Sequence, residues 1–306
     1  MAWLHENREE FRNAVNFTAK EIGYQAAIVE KDYYVTMILK GLTERLSYIV
    51  FKGGTSLSKC HKVIDRFSED IDITTDERIG DSQKKDVKKA VKEIAEELGL
   101  EIPNIDATRS RRSYNRYFLT YEPVTSKLNA DIQPMVILET SYAETSFPNV
   151  IMPVHSYVGN VLQAEAPDAI ETFSLQPFEM KVQGINRTMI DKVFAICDYH
   201  MSGDIKRHSR HIYDIYKLLP LIPMNEQFKD LVRKVRLFRA KNVNICPSAQ
   251  PGVDVPNILK YLVENDVYKT DYENVTTRIL KDRIPYNEII SAIKKIIVSG
   301  MFEDLP

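Results

Sequence analysis

Four apolar, β-prone residues, Tyr48-Ile49-Val50-Phe51, run without a linker into Lys52-Gly53-Gly54-Thr55-Ser56 and then into a helical pattern. A strand that becomes a helix across two glycines constrains the fold more than any other stretch of the chain. Glycines adopt backbone angles closed to other residues and let N–H groups approach a ligand, and the N-terminus of the following helix favours an anion. The segment FSEDIDITT (67–75), whose Asp70 lies sixteen residues after Gly54, alternates with a period of two. Its pattern predicts a strand with Phe67, Glu69, Ile71 and Ile73 on one face and Ser68, Asp70, Asp72 and Thr74 on the other. The Asp70 and Asp72 Cβ atoms would then lie roughly 6–7 Å apart. Carboxylates that close repel unless a cation joins them. Hard divalent ions such as Mg²⁺ (or Mn²⁺) take such oxygen ligands and keep positions open for phosphate oxygens. Alone, Gly-Gly is most often a tight turn and D-x-D a solvated strand face. Together, with one helix between, they specify a phosphate cradle beside a cation site. No G-K-[ST] follows the glycines, and G-x-G-x-x-G is absent, so neither a Walker loop nor a dinucleotide fingerprint fits.

The 306 residues, 44% of them hydrophobic, can fill about two domains and bury a sizeable core. Helical spacing covers 4–22, 26–46 and 82–98, and strand-like runs cover 48–51, 67–75, 114–121 and 130–140. Segment 145–168 reads as connections around one short helix. After about residue 185, helices are expected at 186–201, 207–219, 225–240, 256–265 and 286–299, with 246–256 the clearest loop. The expected class is α+β, an α/β half over residues 1–183 followed by an all-helical half over 184–306. The longest apolar run is five residues, Val193 to Cys197, against roughly 20 for a membrane span. The N-terminus carries acids where a secretory signal has its apolar core, so a cytoplasmic protein without membrane contact is expected. Cys60, Cys197 and Cys246 lack C-x-x-C spacing and imply neither disulfides nor structural zinc.

Net charge is −2, but it is segregated. Windows 84–92, 109–116, 206–211 and 233–241 carry a net +16, leaving −18 on the remainder. Such local fields steer polyanions even on a neutral chain, although any one window also fits a solvated helix face. RSRRSYNRY (109–117) interleaves arginines with Tyr114 and Tyr117, the mixture that stacks on and neutralises single-stranded RNA.

The stretch FKGGTSLSKCHKVIDRFSEDID (51–72) resembles the nucleotidyltransferase motif of the AbiEii/AbiGii toxin family, which includes the MenT-type toxins and is similar to polymerase-β-type nucleotidyltransferases. Glu30-Lys31-Asp32-Tyr33 resembles the family's EKDY helix. Arg187-Thr188 with Asp191-Lys192, and Arg210-His211-x-x-Asp214, resemble its later elements. The likeness runs over roughly 29–220, with little to match in 221–306. It implies that Gly53, Gly54, Thr55 and Ser56 hold the triphosphate of an NTP, that Asp70 and Asp72 bind metal, and that Lys192 neutralises the triphosphate while Asp214 orients that lysine or a substrate hydroxyl. A third metal carboxylate is expected from a neighbouring strand, with Glu139 preferred and Asp131 the alternative. Arg66 would contact phosphate or brace Asp70, or else pair with Asp65 or Glu69. Ser68 would face the metal and could accept a self-modification. Read without the family, Lys192 is a lysine snorkelling from an apolar helix and Asp214 the i+4 partner of Arg210.

The resemblance implies transfer of NMP from an NTP to an RNA, with tRNA expected, or to a protein acceptor, in the toxin of a toxin–antitoxin or abortive-infection pair with a cognate antitoxin. Two other classes are compatible with the residues: an NTP-binding regulatory module without turnover, and a metal-dependent nuclease using Asp70, Asp72 and Glu139. The nuclease leaves the Gly-Gly-Thr-Ser cradle without a purpose.

Overall fold

The computed structural model describes residues 2–66, 68, 70–125 and 132–303. The chain forms two compact units, Met1–Thr55 with Glu69–Val182, and Ser56–Ser68 with Gln183–Pro306.

The first unit opens with α1 (Arg8–Ile22), capped by the Asn7 side chain on the Glu10 N–H and closed by Gly23 in the left-handed region. Helix α2 (Ala26–Arg45) follows. Strand β1 (Ile49–Lys52) passes directly into α3 (Gly53–Lys59), as the glycine pair requires. After β2 (Asp70–Thr75) come α4 (Asp81–Glu97), β3 (Tyr114–Thr120), β4 (Met135–Thr145), β5 (Asn149–Val154), α5 (Tyr157–Glu165), α6 (Pro167–Thr172) and β6 (Phe178–Gln183). The strands form one six-stranded sheet in the order β3-β4-β2-β1-β6-β5. It is mixed: β1 runs antiparallel to β2 and parallel to β6, and β4 runs parallel to β2 and antiparallel to β3.

Side-chain alternation divides the sheet. Ile71, Ile73, Tyr117, Leu119, Val136 and Leu138 are buried, and each aliphatic among them contributes about 1.5–3 kcal/mol by leaving water. Asp70, Asp72, Arg116, Ile137 and Glu139 line the less buried face. Helix α2 packs against β4 and α4. Gly41 permits the close approach of the two helices, since a Cβ there would meet Ile94 Cγ1 at 2.8 Å.

Three consecutive charged residues of α2 act as anchors. Glu30, almost fully buried, accepts from the Val124 N–H at 2.7 Å and from the N–H and hydroxyl of Thr125. Lys31 donates to the Gln133 carbonyl at 3.3 Å, and Asp32 accepts from the Tyr157 N–H at 2.8 Å, at the start of α5. Buried charges are tolerated when saturated in this way.

Three local expectations change. Strand β2 starts at Asp70, so Ser68 precedes it; Phe67 and Glu69 lie outside the described residues. Segment 145–168 holds strand β5 as well as helix, and β6 follows where no strand is expected. Strand β5 lacks a period-two signal because it is an edge strand, with Val150 and Ile151 exposed side by side.

The second unit joins residues 56–68 to helices α7 (Ile185–Ser202), α8 (Arg210–Leu218), α9 (Glu226–Arg239), α10 (Val255–Glu264), α11 (Lys269–Asn274) and α12 (Tyr286–Ser299). Arg66 forms an isolated antiparallel bridge with Leu280, and the Asp65 carbonyl accepts from the Lys281 N–H at 2.8 Å. Much of the basic window on α9 is spent internally. Arg236 donates to the carbonyls of Ala249, Gln250 and Val253, and Arg239 pairs with Asp191 and Asp198. No described helix is long and apolar enough to cross a membrane.

Candidate active site

In the first unit the sheet register brings four charged residues into one row across four strands. Lys52 of β1 pairs with Asp72 of β2, Asp72 with Glu139 of β4, and Glu139 with Arg116 of β3. Register partners project to the same face, so the charges alternate as cation, two anions, cation. Arg116 donates through Nε and Nη2 to Glu139 Oε1, at 2.9 and 2.8 Å. Asp70 lies two residues before Asp72 on the same face and pairs with Ile137. Glu139 thus stands directly beside Asp72, while Asp131 lies outside the described residues.

The strand-to-helix turn closes on these carboxylates. Gly53 sits at φ +79°, and a Cβ added there would lie 1.9 Å from Asp72 Oδ2. The glycine is therefore required twice, for its backbone angle and for the space the carboxylate fills. The Thr55 hydroxyl donates to the Asp70 carbonyl, tying α3 to β2. Thr55 and Ser56 are both buried, so of the cradle residues Gly53 and Gly54 lie nearer the surface.

The donor set fits a divalent cation that shares its shell with substrate. Among the described residues no three His, Cys, Asp or Glu side chains form a ready metal cage. Magnesium rarely asks for one; it is commonly held by one or two carboxylates with phosphate oxygens and water supplying the rest. Asp70 and Asp72 meet that requirement, and Glu139 is the adjacent carboxylate, held at present by Arg116.

Tyr114 is the least expected neighbour. It lies on β3 two residues from Arg116, opposite Ser141, and is 48% exposed. Burial, then the nearby Glu139 carboxylate, push its pKa up to about 12. The arginine-rich composition marks this segment in the sequence, but only the register reveals its proximity to the carboxylates.

The second unit holds a buried ionic triad. Asp214, with no exposed surface, receives Arg66 through Nε–Oδ1 at 2.7 Å and Nη2–Oδ2 at 2.8 Å, and Lys192 Nζ at 2.6 Å from Oδ2. Burial opposes ionisation of Asp214, but Arg66 and Lys192 together outweigh it and hold the carboxyl well below its usual range. Burial lowers the Lys192 pKa, which Asp214 only partly restores. Lys192 is thus a buried, paired cation rather than a snorkelling one. Asp214 is paired with Arg66 and Lys192, not with Arg210. Arg66 likewise turns to Asp214, while Asp65 takes Lys217 at 2.8 Å. His211 stacks in parallel with His208 and Tyr199, and among the described residues neither of its ring nitrogens has a hydrogen-bond partner.

No curated protein matches the sequence. Among solved structures, the chain is similar to MenT4, a nucleotidyltransferase toxin from Mycobacterium tuberculosis H37Rv. The TM-score is 0.50 at 14% identity, covering 95% of this chain and 90% of that one, a likeness of fold. The family model described as the nucleotidyl transferase AbiEii toxin of a type IV toxin–antitoxin system matches residues 38–288. This span contains the glycine turn, both aspartates, Glu139 and the Arg66–Lys192–Asp214 triad, and the chain belongs to that family of nucleotidyltransferase toxins.

Proposed function

We propose that this toxin transfers NMP from an NTP to the hydroxyl of an RNA acceptor, with tRNA the expected class, using Asp70 and Asp72 as ligands of Mg²⁺ or Mn²⁺. The observation that carries the reading is the seating of Asp72 between Gly53 and Glu139: its carboxylate lies against the phosphate-type turn, and its register partner on β4 is a second acid.

In this reaction the acceptor oxygen attacks the α-phosphorus, the bond to the bridging oxygen of the β-phosphate breaks, and pyrophosphate leaves. A divalent cation bound there would neutralise phosphate charge and acidify the acceptor hydroxyl. Gly53 and Gly54 present backbone to the triphosphate, and Thr55 keeps their helix in register with Asp70. Ser56, buried in this structure, supports the turn from within. Glu139, next to Asp72, is the third carboxylate and receives the acceptor proton. Lys192 is the cation that the resemblance implies for the triphosphate, and Asp214, itself held by Arg66, orients that lysine. Ser68 completes the nucleotide-binding set. The cognate antitoxin is the expected protein partner, and the cytoplasm the expected compartment.

Exposed bases favour an RNA acceptor. Lys85, Lys89 and Lys92 on α4, and Arg109, Arg111 and Arg112 before β3, face solvent. Lys88 ties the two elements together by donating to the carbonyls of Ile105 and Thr108, at 3.1 and 2.8 Å.

The test is incubation of the full chain with each α-³²P-labelled NTP, Mg²⁺ and total tRNA. Labelled RNA is expected with wild type and not with Asp72→Ala. Equal labelling by the two proteins would overturn the assignment.

A further inference from the structure

We propose that Tyr114 is a self-modification site, whose phenol oxygen accepts an NMP group from the NTP bound at the neighbouring carboxylates. The proposal rests on the nucleotidyltransferase reading of Asp70, Asp72 and Glu139 and goes beyond it by naming an acceptor within the chain.

The geometry comes from the β3–β4 register. Arg116 lies opposite Glu139, and Tyr114, two residues earlier on the same strand, shares its face. On that shared face Tyr114 stands diagonal to Glu139 across the β3–β4 pair, near enough that the charges of Glu139 and Asp72 both bear on its phenol. A nucleotidyl acceptor needs this position: a hydroxyl beside the base, close to the metal-binding acid.

Other tyrosines of the chain are differently placed. Tyr268 and Tyr272 are buried and donate to the carbonyls of Ile196 and Ile284, and the buried Tyr213 hydroxyl accepts from the Asp65 N–H. Tyr33 is buried against His5. Tyr114 is half-exposed on an edge strand, open to an incoming substrate.

The chemistry balances within the groups present. The Tyr114 oxygen forms a bond to the α-phosphorus, the bond to the β-phosphate oxygen breaks, pyrophosphate departs, and the phenolic proton passes to Glu139. The surrounding anions disfavour a free phenolate, so proton transfer to Glu139 has to accompany attack. Arg116, fixed on Oε1, keeps Glu139 oriented for that transfer. Tethering supplies what the phenol lacks in intrinsic reactivity, since a positioned intramolecular nucleophile avoids the entropy of association. The product, a nucleotide in phosphodiester linkage on β3, would cover the carboxylates that made it and restrain further turnover.

The experiment uses the full chain with Mg²⁺ and each NTP in turn, without RNA, followed by intact-mass measurement and peptide mapping. A parallel wild-type reaction contains total tRNA. The expected result is a mass increase of one nucleotidyl group, mapped to Tyr114 and abolished by Tyr114→Phe, with a thermal unfolding midpoint showing that the variant folds. RNA labelling with no mass increase on the chain overturns self-modification and leaves the RNA reading intact. A modification mapped to Ser68 or elsewhere overturns the assignment to Tyr114. Absence of label on both chain and RNA overturns this proposal together with the nucleotidyltransferase reading. A second readout needs neither metal nor nucleotide: N-acetylimidazole should acetylate Tyr114 in the resting chain, and protection of Tyr114 from that reagent would overturn its role as an accessible acceptor.

Discussion

Gly53 and Asp72 are in such close contact that a single methyl group cannot be placed between them. The Cβ of any other residue at position 53 would fall 1.9 Å from Asp72 Oδ2. Gly53→Ala must therefore displace the carboxylate and also hold a left-handed backbone angle, which alone costs about 1–2 kcal/mol. Gly252 offers a control, with the same φ of +79° and nothing within 4 Å of a Cβ added there. Gly252→Ala should show the backbone cost in its unfolding midpoint while keeping RNA labelling. Gly53→Ala should lose most of the labelling and weaken Mn²⁺ binding, measured by titration of free Mn²⁺. Equal activity in the two variants would show that the close approach is irrelevant to chemistry.

That close approach marks the limit of what the sequence tells. The strand, the two glycines and D-x-D are legible because each has a local cause: β-prone residues, open backbone angles, period-two alternation. That Asp72 fills the space above Gly53 depends on antiparallel pairing of β1 with β2, which no local pattern encodes. Glu139 illustrates the same limit. Its parity on the strand is readable, but its place beside Asp72 follows from a parallel pairing between segments more than sixty residues apart. Arg66 misleads for a related reason. Its neighbour Asp65 is an obvious partner in sequence, whereas its guanidinium reaches Asp214, 148 residues away, and Asp65 takes Lys217; Glu69 lies outside the described residues. The EKDY helix reads as a motif, and the structure gives Glu30, Lys31 and Asp32 the work of anchoring connecting segments.

The triad in the second unit predicts an order of destabilisation. Asp214→Ala leaves Arg66 and Lys192 buried without their shared anion, and breaking such a pair by removing one partner costs about 3–5 kcal/mol. Lys192→Met leaves Asp214 with the two hydrogen bonds from Arg66 and places an apolar chain where burial already disfavours charge. Urea denaturation should therefore find Asp214→Ala clearly less stable than Lys192→Met. The reverse order would mean that Arg66 alone does not satisfy the carboxylate.

Stability should fall on the acid side, with His211 and Asp214 contributing beside His5, His61 and His208, whose pKa values burial also lowers. Burial, with Lys192 and Arg210 beside it, holds the His211 pKa well below 6.5 in the folded chain. Below about pH 6.5 the unfolded chain takes up a proton that the folded chain refuses, so stability declines as pH drops. Asp214, whose folded pKa is depressed, adds stability that is present above its unfolded pKa near 4 and is lost as pH falls further. Denaturation midpoints should be level from pH 8 to 7 and then decrease. His211→Asn should flatten the decline between pH 6.5 and 5 even where it lowers overall stability. An unchanged slope would place the titrating group elsewhere.

The arginines before β3 make a prediction about salt. Arg109 and Arg112 are exposed, unlike Arg236 and Arg239 of α9, which are committed to internal carbonyls and carboxylates. Each phosphate that goes unneutralised should reduce the slope of log affinity against log salt by about 0.7 for a single strand. Filter binding of tRNA over a range of KCl concentrations should give Arg109→Ala/Arg112→Ala a slope shallower by about one or more, with the unfolding midpoint unchanged. Arg236→Ala should do the opposite, lowering the midpoint because three carbonyls lose their donor. Surface arginines that bind RNA change the salt dependence and leave the fold alone, while buried ones change the fold. A double variant with wild-type salt dependence would remove Arg109 and Arg112 from the acceptor path and leave Arg111 and the exposed lysines of α4 to be tested next.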